Sequence, residues 1–238
     1  MLRKIRTGIE ELKNANKEKQ DLYCMAAIGE MSAKVAHEIR NALYSIGGAV
    51  SYMKRHVDSD IVKDFTAIIA DEVKRLRDLS DSFLNFAKPL ELRYSTESIN
   101  SVIDEAVRIV SHDLEDAGIK VVCRYEGSGI FLFDKNQIKQ VLLNLILNSV
   151  DAICHGGEIR ISTSLDRGFL NLAVEDSGEG IEIEVVPRIF EPFFTTKADG
   201  NGLGLAIVSK IISAHNGHID VSSVKGMGTR FNMRLPFK

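Results

Sequence analysis

The stretch LLNLILNSVDAI, residues 142–153, decides how the second half of this chain folds. It contains no glycine or proline, and its apolar residues recur at helical spacing. With DKNQIKQV in front of it, the whole of 134–153 reads as one helix capped by Asp134. Asn144 and Asn148 are four residues apart and therefore share one face, and Asp151 follows a turn later. A single asparagine among Leu, Ile and Val is usually a satisfied core amide. Two at one-turn spacing, continued by a carboxylate, predict the wall of a site.

Outward from this helix, 98–117 reads as a helix with Ser98 as N-cap, and IKVVCRY (119–125) and IFLF (130–133) read as strands. GEIRISTSL (157–165) and FLNLAVED (169–176) form a hairpin around Asp166-Arg167-Gly168. A loop rich in glycine and proline covers about 178–201. A helix over about 202–215 ends at Asn216-Gly217, and HIDVSSV with TRFNMRLPF makes a last hairpin around 225–228. These elements predict an α+β class with a sandwich domain over 90–238.

The first half has a different pattern. Leu2, Ile5, Ile9 and Leu12 make a heptad-like seam, which predicts a coiled-coil signal helix over 1–24. An apolar stripe continues through Leu22, Met25, Ile28, Val35, Ile39, Leu43 and Ile46. A second periodic segment, about 59–87, carries Ile61, Phe65, Ile68, Leu76, Leu79, Phe83 and Phe86 and stops before Pro89. The polar turn HVDSD (56–60) makes these an antiparallel hairpin over 25–89. Two helices cover such a stripe poorly, so a homodimer that forms a four-helix bundle is expected, the alternative being a hairpin folded onto the rest of its own chain.

Three further clusters accompany Asn144, Asn148 and Asp151. EDSGEGI (175–181) places Asp176 at a strand end before Gly178, Gly180 and Ile181, where it can accept a hydrogen bond from an exocyclic amine. IFEPFFTTK (189–197) reads as a lid with an apolar latch that includes Phe190, followed by Thr196 and Lys197, whose ammonium can reach a phosphate. DGNGLGLAI (199–207) places Gly200, Gly202, Leu203, Gly204 and Leu205 at a helix N-terminus, where backbone N–H groups favour an anion. Each cluster alone is a weak signal; the four in this order are a strong one. In the first half, AHEIRNAL (36–43) sets His37, Glu38 and Asn41 in a helical run. At about 100° per residue, His37 and Asn41 lie roughly 200° from the Val35 stripe, on a face predicted to meet solvent.

Together these segments resemble the kinase core of bacterial two-component sensor histidine kinases, with AHEIRNAL similar to the family's phospho-acceptor box and the later clusters similar to its N, G1, F and G2 boxes. HEIRN and FAKP give it the flavour of the nitrogen-regulation sensors. The resemblance implies a Bergerat-type ATP-binding domain in which Asn148 ligates Mg²⁺, Asn144 shapes the same face, Asp176 reads adenine and the 187–204 lid covers the phosphates. It implies His37 as phospho-acceptor, Glu38 as the group that orients the ring, and Asn41 as the residue that positions water for dephosphorylating a response regulator receiver domain. Ala42 stands where the family usually has proline, which predicts a straighter first helix. Asn201 replaces the common threonine and can still cap a helix.

Two alternatives remain. One is an ATP hydrolase of the gyrase, mismatch-repair or heat-shock branch, which places a glutamate one turn before the metal asparagine; here that position is Asn144. The other is a dimeric scaffold that binds nucleotide without catalysis. Net charge −3 gives no sign of a nucleic-acid binder. No apolar run is long enough to span a membrane, and no signal peptide is visible. Three widely spaced cysteines, with no metal spacing, fit a reducing cytoplasm.

Overall fold

The computed structural model describes residues 39, 41, 43–53, 59–87, 90–126, 129–154, 156–197 and 200–236. The predicted coiled coil over 1–24, and His37, Glu38 and Ala42, lie outside the described residues. The chain divides into two compact units, Met1–Pro89 and Leu90–Lys238.

In the first unit residues 43–53 are helical (α1), as are Ile39 and Asn41 before them. Helix α2 is Ser59–Ala87, so it starts inside the segment expected to turn and stops two residues before Pro89. The Tyr52 and Phe65 rings meet at 4.6 Å between centroids and join α1 to α2. Ala49 and Phe86 are buried, whereas Ile39, Leu43, Tyr44, Ile68 and Val73 remain exposed. Asn41 is exposed.

The second unit is a two-layer α+β sandwich. Its elements are β1 (Ser95–Ser98), α3 (Ile99–Ile109), α4 (Ser111–Asp116), β2 (Ile119–Tyr125), β3 (Ile130–Phe133), α5 (Lys135–Ala152), β4 (Gly157–Asp166), β5 (Phe169–Asp176), α6 (Gly204–Ala214), β6 (His218–Val224) and β7 (Gly228–Pro236). Five strands order as β2-β4-β5-β7-β6, with only β2 and β4 parallel, and β1 pairs separately with β3. Alternation decides which side chains face the helices. Ile159 and Ile161 of β4, Leu170, Leu172 and Val174 of β5, and Phe231, Met233 and Leu235 of β7 point into one core with α3, α5 and α6. The opposite face carries the ladder Arg160–Glu175–Arg230, joined by ion pairs of 3.1 and 2.7 Å. Because Asp176 continues the inward series of β5, its carboxylate faces the helical layer.

Two expectations need correction. The helix expected over 98–117 is two helices with a break at Val110; the break keeps both Val110 and Leu114 in the core. Ser98 is the N-cap of α3 by position, but its side chain makes no capping bond. Strand β1, STES, was not expected, because four polar or charged residues carry no strand periodicity; the partner β3 imposes it.

Asp134 caps α5 as expected. Its Oδ1 accepts from the N–H groups of Asn136 (3.0 Å) and Gln137 (3.1 Å), and its Oδ2 from the Arg93 N–H (2.7 Å). The Asp134 N–H donates to His215 Nε2 at 3.1 Å, while His215 Nδ1 donates to the Ile211 carbonyl at 2.8 Å. This network requires a neutral ring, and burial lowers the pKa of His215 against the smaller opposing effects of the Ile211 bond and the Asp134 charge. The unfolded chain therefore takes up a proton at higher pH than the folded one. Stability is complete above the ordinary histidine value near ~6.5 and is lost as pH falls below it. The thermal midpoint of the wild type is expected to fall between about pH 7 and pH 5, with a shallower slope in His215→Gln; equal slopes refute this.

Candidate functional site

Helix α5 separates its two jobs by face. Leu142, Leu145, Ile146 and Ser149 are buried under the sheet, while Asn144, Leu147, Asn148 and Asp151 form the opposite stripe. Asn144 Nδ2 donates to the Gly204 carbonyl at 3.2 Å. A Cβ at Gly204 would lie 3.9 Å from Asn148 Nδ2 and 4.0 Å from Asn144 Cγ, so the start of α6 stands against this stripe. The N-cap of α6 is Leu203 rather than Asn201, and Leu203 is fully buried. Asn201 accepts from the Leu203 N–H at 3.1 Å instead, as a turn ahead of the helix. The N-cap residue Leu203 makes no side-chain capping bond, and the first N–H groups of α6 favour an anion.

The loop before α6 reaches back to α5. Lys197 Nζ lies 2.7 Å from Asp151 Oδ2 and 3.4 Å from Asn148 Oδ1. A cation therefore stands on two side-chain oxygens next to a helix end that favours an anion. The same pair of preferences suits a divalent cation with a polyphosphate. Among the described residues no group of three His, Cys, Asp or Glu could hold a metal. That donor set fits Mg²⁺, which takes one or two protein oxygens and completes its shell with phosphate and water. Asn148 and Asp151 are the residues that would hold it.

The loop has a closed neck. The Phe193 N–H donates to the Gly202 carbonyl at 2.7 Å, and a Cβ on Gly202, at φ +64°, would stand 2.4 Å from the Phe193 carbonyl carbon. Phe193 is buried, and Phe190 packs edge-on against Phe231 at 6.4 Å. The Arg188 guanidinium covers the Phe194 ring at 4.4 Å. Beyond this neck Thr196 and Lys197 are exposed, and Gly200 lies in the same arc. Leu205 and Ile181 pack against the core.

Asp176 forms the other end of the site. Its Oδ1 accepts from the N–H groups of Gly178 (2.9 Å) and Thr229 (3.2 Å), and its Oδ2 receives the Ser149 hydroxyl at 3.3 Å. Burial raises its pKa, and the three hydrogen bonds pull it back. The result is an oriented acceptor tied to the residue after Asn148. The nearest neighbours of a Cβ at Gly178 are backbone and Cβ of Ala152, and at Gly180 the Val224 carbonyl. Both glycines thus let β-strand ends and the end of α5 approach one another.

Sequence reasoning missed Ser149, Thr229 and Gly228. Ser149 had a weak signal in its place beside Asn148; Thr229 and Gly228 had none, because their contact with Asp176 is made across the sheet. The structure brings Asn144, Asn148, Asp151, Lys197 and Gly204 together and connects them to Asp176 through Ser149. His37 and Glu38 lie outside the described residues.

Residues 27–91 match the His Kinase A (phospho-acceptor) domain, and residues 133–238 match the histidine kinase-, DNA gyrase B-, and HSP90-like ATPase family. Sensor histidine kinase ZraS of Salmonella typhimurium is 38% identical over 231 residues, covering 95% of this chain and 49% of that protein. Signal transduction histidine-protein kinase AtoS of Escherichia coli is 34% identical over 214 residues, covering 89% of this chain and 35% of that protein. The chain thus spans about half or less of these curated relatives. Among solved structures, histidine kinase ThkA in complex with response regulator protein TrrA matches with a TM-score of 0.80 at 31% identity, over 96% of this chain and 67% of that one. A phospho-acceptor module followed by an ATP-binding module, with likeness to such a kinase over nearly the whole of this chain, makes the conclusion plain: this chain belongs to the two-component sensor histidine kinases, of which it carries the kinase core.

Proposed function

We propose that this chain moves the γ-phosphoryl group of ATP onto His37 and then onto an aspartate of a response-regulator receiver domain, working as a homodimer with Mg²⁺. The exposed apolar residues of the hairpin, Leu43, Ile68 and Val73 among them, support pairing with a second copy. Mg²⁺ supplies charge neutralisation of the phosphates. Asn148 holds it, Asp176 orients the adenine, the α6 N-terminus receives phosphate oxygens, and Lys197 and Thr196 cover them. A ring nitrogen of neutral His37 forms the new N–P bond as the bond between the γ-phosphorus and its bridging oxygen breaks, with ADP leaving. Glu38 orients the ring and takes the proton on its other nitrogen. Asn41, helical and exposed, positions the water that hydrolyses the receiver's phosphoaspartate.

One observation carries the choice of transfer over hydrolysis. The position one turn before Asn148 holds an amide already committed to the Gly204 carbonyl, where a carboxylate base for water would otherwise act. The test is incubation with γ-labelled ATP and Mg²⁺. The expected label is acid-labile and alkali-stable, is abolished by EDTA, and falls at least about 100-fold in Asn148→Ala. Free phosphate released without any protein-bound label overturns the proposal in favour of an ATP hydrolase.

A further inference from the structure

We propose that Lys197 occupies the metal's place while the site is empty of nucleotide, and that loading exchanges one cation for the other. This rests on the assignment of Asn148 to the metal given above. The geometry is specific. The ammonium contacts Asn148 at Oδ1, the only side-chain atom of that residue able to ligate a cation, and Asp151 at Oδ2, one turn further along the same face.

Asp151 explains why a cation is needed in both states. An unpaired carboxylate next to a polyphosphate site repels the ligand, so the carboxylate must be neutralised before and after nucleotide enters. Lys197 does this from the tip of a loop whose neck is closed by the Phe193–Gly202 bond, and Thr195 Oγ1 accepts from the Lys197 N–H at 3.1 Å to shape the tip. The lysine contact therefore also fastens the loop against α5. The partners are 41% and 58% exposed. Such a pair shifts an equilibrium by about fivefold at most, which makes it weak enough to exchange. A divalent cation held at Asn148 would repel the ammonium, and Lys197 would then be free to meet a phosphate oxygen.

The test is amide hydrogen exchange over 194–201 in wild type, Lys197→Met, Asp151→Ala and the double variant. All four substituted or unsubstituted proteins retain the core, because both side chains are at the surface. In EDTA without nucleotide, each single change is expected to speed exchange about two- to fivefold, and the double variant no further. With saturating Mg²⁺ and the non-hydrolysable analogue AMPPNP, the two effects become independent. Additive effects in the empty protein, or coupling that survives in the loaded one, overturn the exchange of cations alone. AMPPNP binding that is indifferent to Mg²⁺ overturns it together with the assignment of Asn148.

Discussion

His37→Gln is expected to abolish the acid-labile label and to leave nucleotide binding at the wild-type level. Glutamine keeps length and polarity but offers an amide nitrogen whose lone pair is delocalised into the carbonyl, so no N–P bond forms. The proposed ATP site is untouched, because its residues come from α5, the loop before α6 and the end of β5. Labelling with γ-labelled ATP and titration with a fluorescent ADP analogue read the two properties separately. The expected loss of label exceeds about a thousandfold, since a displaced nucleophile has no substitute. The chain has six histidines, so a label that persists moves the acceptor to another of them and sinks the assignment. His215 is a poor substitute, with both ring nitrogens engaged inside the second unit.

Gly228→Ala is expected to loosen the Asp176 end of the site. At φ +104° a side chain is strained, and its Cβ would stand 2.0 Å from the carbonyl oxygen of Asp176. The obstacle is backbone, so β7 must move away from β5 where the Thr229 N–H reaches Asp176 Oδ1. Backbone strain and overpacking together cost roughly 4 kcal/mol. For a unit of this size that lowers the melting temperature by about 10 °C. ADP affinity falls as well, because the carboxylate loses one of its orienting donors. Gly226→Ala is the control: its φ is +80°, but nothing lies within 4 Å of the new Cβ. Only the strain applies there, roughly 1–2 kcal/mol. Equal melting temperatures for the two variants refute the close-approach argument.

Both expectations show where local pattern ends. Helix α5 was legible to within a residue, cap included, because the Asp134 bonds and the 3.6-residue period are properties of consecutive residues. The hairpin of β4 and β5 was legible for the same reason: Arg167 at φ 47° and Gly168 at φ 85° form the two-residue turn that Asp166-Arg167-Gly168 announced. Strand β1 was not, since STES has no strand preference of its own and exists as a strand by pairing with β3. Nor was the break at Val110, which depends on what the sheet leaves for Leu114 to fill.

Sequence alone determined the family, the α+β class and the shared face of Asn144, Asn148 and Asp151, because motif order and helical period are written in residues near one another. Tertiary structure decided how the acceptor Asp176 is held, through Ser149 and Thr229, and that Lys197 meets Asp151 across 46 positions of chain. Those contacts join segments that the fold alone brings within hydrogen-bonding distance, and spacing along a chain carries no measure of that distance.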